Sequence, residues 1–206
     1  MRELLSQGLF NLVIQAIICL CVFFLFLAIF IDFVLYSRKE QVQTEKKSFV
    51  ETGTMTLFFI IFYLILQSGL GGVFITFGFL GKLLKVLGTL MIIIGCIANI
   101  YGRLNLGRNW ANQVKIYQEQ ALVQTGMYKI VRHPLYASII LMFYGASLVY
   151  QNTVALVVVS VVFVPMMYYR AIQEENLLTQ RFPMYNKYKQ STGMLFPKIL
   201  KGRERI

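Results

Sequence analysis

Charge is scarce in this sequence. Asp, Glu, Lys and Arg make up 14% of its 206 residues, where about 25% is usual for a soluble domain. Histidine occurs once, and the three cysteines are Cys19, Cys21 and Cys96. An odd number of cysteines makes no closed disulfide framework. One histidine with cysteines at these spacings makes no zinc site, so no metal is expected. No internal repeat is visible, and charges in mid-run are few, which argues against a transporter built from repeats. What is abundant is apolar surface, with 57% hydrophobic residues and a mean hydropathy of +0.64. A chain this short has too little interior to hide that much. An ordinary soluble globule and a disordered chain are both excluded, leaving a small integral membrane protein of a single domain.

Five apolar runs are legible: Leu9–Tyr36, about Thr54–Phe79, about Leu83–Tyr101, Pro134–Tyr150 and about Thr153–Tyr169. A span needs about twenty apolar residues. The first run is too long for a signal-peptide core and lacks a small-residue cleavage site, so it reads as an uncleaved helix. Residues 37–49 read as a wet loop. Glycines 69, 71, 72 and 78 suggest a close helix contact or a break near the membrane surface. Gly81 and Lys82 read as a turn, and Pro165 as a kink. The tail from Arg170 reads as a partly amphipathic helix near the surface. The expected architecture is all-α: five transmembrane helices, with residues 1–101 holding three and residues 102–206 a core with a helical hairpin and a tail.

The net charge of +11 raises the question of nucleic acid, and the placement of the charges answers it. Lysine and arginine avoid the apolar runs and gather in the joints, as at cytoplasmic membrane rims facing anionic lipid. No nucleic-acid partner is expected. With five spans, the first joint, residues 102–132 and the tail carry four, five and eight basic residues on one side. The other side has one at the N-terminus, two in the second joint and none at Gln151. Seventeen against three places the N-terminus outside and the polar segments in the cytoplasm.

Those segments hold the residues capable of chemistry. Arg132–Tyr136 reads RHPLY, and Tyr169–Glu175 reads YRAIQEE. Leu106–Trp110 reads LGRNW, and Ala121–Tyr128 reads ALVQTGMY. The tail carries Phe182, Tyr185 and Tyr188, then Phe196-Pro197. On a helix Arg170 and Glu174 share a face at i,i+4. A surface ion pair is the plain alternative, but both sit at the exit of a span, where ionised groups serve function. Glu175 lies about 100° around the helix and is expected outside their pocket, in a supporting or helix-end role. His133 precedes a helix-starting proline and can present an N–H to a carboxylate, or it is a locally bonded interface residue. Arg132 reads equally as a cofactor contact or a lipid-phosphate anchor. Tyr128, Tyr136 and Trp110 have the alternative of interfacial anchors. Phe182, Tyr185 and Tyr188 are expected to clamp the tail onto the core, and Asp32 to reach headgroups.

Taken in order, these motifs over about residues 105–200 resemble the isoprenylcysteine carboxyl methyltransferases, integral membrane enzymes that use S-adenosylmethionine. The resemblance implies a cytoplasmic-side pocket for S-adenosylmethionine, with S-adenosylhomocysteine as product. It implies cofactor contacts from Gln113, Gln120, Ala121, Leu122, Val123, Tyr128, His133, Pro134, Leu135, Tyr136 and Glu174. It makes Arg170 the residue that orients the substrate. The acceptor would be a lipophilic molecule or prenylated substrate entering from the bilayer, among membrane lipids. Ser138 stands where many relatives have glycine, and Gln120 where some have histidine. Two alternatives stay open: O-methylation of a hydroxyl on a lipid-like molecule, and a non-enzymatic membrane scaffold.

Overall fold

The computed structural model describes residues 2–36, 42–45, 52–72, 78–109, 115–117 and 121–198. Among these residues the regular structure is helical except for one short ribbon. Helix α1 is Arg2–Tyr36, α2 is Thr52–Ser68 and α3 is Phe79–Leu106. A four-residue helix, α4, covers Met127–Ile130, and α5 is Pro134–Val149. Helix α6, Thr153–Val158, passes through a wide π turn at Val159–Phe163 into α7, Val164–Arg181, and α8 is Tyr185–Ser191. Strands β1, Val42–Glu45, and β2, Lys115–Tyr117, pair antiparallel. Among the described residues, three helical stretches are long and apolar enough to cross a membrane: Gln7–Leu35, Phe79–Leu106 and Thr153–Arg181. Gly53–Ser68 and Pro134–Val149 are shorter apolar helices. The chain is a membrane protein on these helices, among which the last is one continuous rod.

Helix α5 is the centre of the packing. One side meets α1 and α3 through Ile14, Leu25, Ile92, Cys96, Met142 and Val149. The other meets α2 and the α6–α7 rod, where Phe143 packs against Phe58, Phe62 and Phe163 with ring centroids 4.6–5.3 Å apart. Helices α3 and α5 touch through glycine. A Cβ on Gly88 would lie 2.4 Å from the Gly145 carbonyl oxygen, and one on Gly145 would lie 2.6 Å from that of Gly88. Only bare backbone permits this approach, which is how small residues bring membrane helices together.

Several boundaries differ from the sequence expectation. The second run ends as helix at Ser68 rather than reaching Phe79. Gly69 and Gly71 take left-handed φ of 69° and 74° there, which a continuing helix cannot hold. Gly81 and Lys82 lie inside α3, and Gly81 is buried. The fifth run does not stop at Tyr169. Its buried face continues through Met167, Arg170, Ala171, Glu175 and Leu177 at helical spacing, so packing carries the helix on to Arg181. The distortion near Pro165 is the preceding π turn, in which the Val164 N–H bonds the Val159 carbonyl. Proline has no N–H for its own i−4 partner, and a widened turn relieves its ring.

The connections group into two ends. Strand pairing sets the first joint beside residues 115–117, and a parallel bridge joins Val131 to Gly193 of the tail. At the opposite end Gly72 bridges Asn152, Thr153 N–H bonds Gly71 O at 2.9 Å, and Gln151 Nε2 bonds Gly81 O at 3.1 Å.

Candidate functional site

The site is assembled where α5 begins and α7 passes it. Pro134 occupies the first turn of α5, where its missing N–H costs nothing. His133 occupies the N-cap position, its carbonyl accepting from the Ala137 N–H at 3.1 Å, and Tyr136 follows three residues on. Their rings stack, 5.5 Å apart and 3° from parallel. Both face Glu174 of α7. Tyr136 donates its hydroxyl proton to Glu174 Oε1. His133 Nδ1 lies 3.5 Å from Glu174 Oε2. Arg170 Nε donates to the Tyr136 hydroxyl at 2.8 Å and stands 3.5 Å from Glu174 Oε1. The expected Arg170–Glu174 pairing is therefore present, with the tyrosine hydroxyl between the two. Arg170 is buried, whereas the Glu174 side chain keeps 27% of its surface exposed. Of the acids in this cluster, Glu174 is the one that remains reachable.

Glu175 corrects the sequence expectation. It does join the cluster, at 1% exposure. His133 Nε2 lies 3.2 Å from its Oε1, Arg132 Nε donates to it at 2.7 Å, and Lys189 Nζ sits 3.1 Å from Oε2. Helical rotation does separate Glu174 from Glu175, but His133 stands between them with one ring nitrogen toward each. Both nitrogens of an imidazole can donate only when it is protonated. Burial disfavours the charged form of His133, but its hydrogen bonds to Glu174 and Glu175, and their charges, outweigh that and raise its pKa.

Arg132 is neither a lipid anchor nor an open anion contact. Besides Glu175 it donates to the carbonyl oxygens of Lys189, at 3.2 Å, and Thr192. Together with the backbone bonds Arg132 N to Gly193 O and His133 N to Met194 O, at 2.8 and 3.0 Å, it straps the tail to the start of α5. Tyr185 and Tyr188 are buried under that strap, as expected, and Phe182 is half-buried. The Tyr188 hydroxyl donates to the Tyr128 carbonyl, and burial pushes its pKa up to about 12. Burial first, and then the charge of Glu174, raises that of Tyr128 as well. Both phenols stay neutral donors at physiological pH.

Asp32 does not reach headgroups. It is buried, and Arg103 Nη1 donates to its Oδ2 at 2.5 Å. Ala121 is exposed and Leu122 and Val123 are half-buried. Ala121 N–H donates to Asn109 Oδ1 at 2.7 Å. Met127 N–H donates to Asn105 Oδ1 at 2.9 Å beside Gly126, whose φ of 59° favours glycine. Pro134 is buried and Leu135 half-buried. Gln113, Gln120 and Trp110 lie outside the described residues. Sequence reasoning missed Lys189, Asn99 and Met55, whose Sδ accepts from Arg170 Nη1 at 3.3 Å. A polar side chain at mid-run was the available signal for Asn99.

A membrane bundle with a buried carboxylate–imidazole–guanidinium cluster at one rim, and one acid of it open, offers charged and hydrogen-bonding groups that a polar molecule could use. The sequence model of the Phospholipid methyltransferase family matches residues 83–184, which include every member of this cluster except Lys189. The chain is 31% identical over 113 residues to protein-S-isoprenylcysteine O-methyltransferase A of Arabidopsis thaliana, covering 53% of this chain and 57% of that protein. It is 31% identical over 121 residues to protein-S-isoprenylcysteine O-methyltransferase of Saccharomyces cerevisiae, covering 57% and 51%. Over this stretch the chain is similar to the phospholipid methyltransferase family and to these two protein-S-isoprenylcysteine O-methyltransferases. It spans just over half the length of the curated relatives it matches.

Proposed function

We propose that the protein methylates the carboxylate of a lipophilic, prenylcysteine-like acceptor with S-adenosylmethionine as donor. The observation that carries this reading is the Arg170–Tyr136–Glu174–His133 cluster at the rim. The donor set suits the cofactor. An open carboxylate at Glu174 matches ribose hydroxyls or an ammonium group. The N–H groups of the α5 start match a carboxylate, while the His133 ring holds Glu174 in place. Tyr128, Pro134, Leu135 and the Ala121–Val123 backbone would complete the set, together with Gln113 and Gln120. When bound, S-adenosylmethionine supplies a methyl group already activated on a sulfonium.

The protein then has little covalent chemistry to perform. A carboxylate acceptor is ionised at neutral pH, so it needs no general base. What remains is alignment and the exclusion of water. Arg170 supplies alignment. Its Nη1 contacts the thioether of Met55, a weak acceptor that a carboxylate outcompetes. Met55 stands on α2, beside the aromatic packing around Phe58, so the greasy part of an acceptor would approach from that side. Five spans with a cytoplasmic rim would let a soluble donor and a membrane-borne acceptor meet at Arg170.

The test is transfer of a radiolabelled methyl group to prenylcysteine analogues and to membrane lipid extract, in nanodiscs. A base-labile methyl ester on the prenylcysteine analogues is expected. A base-stable ether on a lipid product would instead select hydroxyl methylation. Failure to bind the donor at all would return the protein to the scaffold reading.

A further inference from the structure

Helix α1 turns most of its apolar side chains outward, and Ile14, Leu25 and Asp32 are buried. A carboxylate on such a helix is costly and calls for a purpose. Asp32 begins a chain of hydrogen bonds that leads inward. Arg103 of α3 donates to Asp32 at 2.5 Å and, through Nε, to Asn99 Oδ1 at 2.8 Å. Asn99 Nδ2 donates in turn to the Leu135 carbonyl at 3.2 Å and to Ser138 Oγ at 2.8 Å. Asp32, Arg103, Asn99 and Ser138 are 6%, 9%, 0% and 3% exposed. Leu135 and Ser138 belong to the first turns of α5, and Leu135 lies between His133 and Tyr136. A buried ion pair is often replaceable by apolar residues with no loss of stability, so stability alone does not account for this one.

We propose that Asp32, Arg103 and Asn99 are positioning residues that fix the start of α5, and with it the rings of His133 and Tyr136 against Glu174. The functional consequence rests on the methyltransferase reading; the positioning itself does not. Asp32 lies outside residues 83–184, so α1 contributes to the site without touching it.

His133 is the only histidine in the sequence, so ring-¹⁵N labelling reports the site from a single signal. The variant D32L/R103M removes the charges together and avoids an orphaned one. In folded D32L/R103M, the His133 titration midpoint should move by at least about half a unit toward the ordinary 6.5. Affinity for S-adenosylhomocysteine should fall about tenfold as the rim loses alignment. S138A, which removes one anchor with little change in volume, should shift the midpoint in the same direction by less. An unchanged midpoint in folded D32L/R103M would overturn the proposal. So would an unchanged midpoint in S138A if the double variant does not fold. A wild-type protein that ignores S-adenosylhomocysteine, while the variants still shift the midpoint, would overturn the methyltransferase reading and leave the positioning chain standing.

Discussion

At the scale of single residues, the cluster separates an enclosed acid from one that would face a ligand under the proposed function. Glu175 is enclosed by Arg132, His133 and Lys189, whereas Glu174 is open. E174Q should therefore weaken S-adenosylmethionine binding in calorimetric titration while the protein stays folded, and unchanged affinity would remove Glu174 from the cofactor site. R170K keeps the charge and loses the planar fork. Catalytic efficiency with a prenylcysteine analogue should fall by more than about tenfold, or roughly 1.4 kcal/mol of transition-state stabilisation, with cofactor affinity changing far less. Equal losses in both assays would mean that Arg170 grips the donor instead. His133 adds a pH dependence. Its pKa is raised in the folded protein, so its contribution to stability is complete below the unfolded value of about 6.5 and disappears as pH rises through the folded value. The melting temperature should fall over that rise in wild type and stay flatter in H133Q; parallel curves would exclude the imidazolium bridge.

At the scale of elements, the contact between α3 and α5 decides where the rim sits, because α5 carries His133 and Tyr136. G88A places a Cβ against the Gly145 carbonyl and the backbone nitrogen of Val149, at 2.4 and 2.9 Å. Backbone must give way there, so overpacking should cost about 1–3 kcal/mol. G8A has nothing within 4 Å and should be neutral or slightly stabilising through helix propensity. Melting of both in one detergent checks the contrast, and equal melting would deny the close contact. The runs that became α1 and α5 were legible because apolar length and a helix-starting proline are local signals. Where the α7 rod ends was not, because its last turns are kept helical by burial of Glu175 and Leu177 against other elements. The same holds within the site. The spacing of Arg170 and Glu174 gave their shared face directly. Glu175 was misjudged because its partner, His133, lies on another helix and reaches across the angle between the two acids. Asp32 hid its role likewise, since only the packing of α1 on α3 brings Arg103 to it.

At the scale of the whole molecule, the joints sort into two ends by backbone contact and by charge, and the two partitions agree. The first joint pairs with residues 115–117, and Val131 with the tail at Gly193; these are the segments rich in lysine and arginine. The second joint meets the turn at Gln151, which has no basic residue. Excess positive charge stays cytoplasmic during insertion. The expected topology is five spans, with the N-terminus outside and the Arg170–Glu174 rim at the cytoplasmic face, where S-adenosylmethionine would be available. At about 1.5 Å per residue, the 17 residues of α2 and 16 of α5 are just short of a typical hydrocarbon core. They can cross if the bilayer thins or the flanking residues reach to the interface. A variant lacking Cys19, Cys21 and Cys96 provides the background for single cysteines at positions 45 and 151. In right-side-out vesicles an impermeant maleimide should label position 151 and spare position 45 until the membrane is opened. Labelling of both from one side would mean that an odd number of the helices between them fails to cross. The shared rim would then have to be rebuilt from a different count of spans.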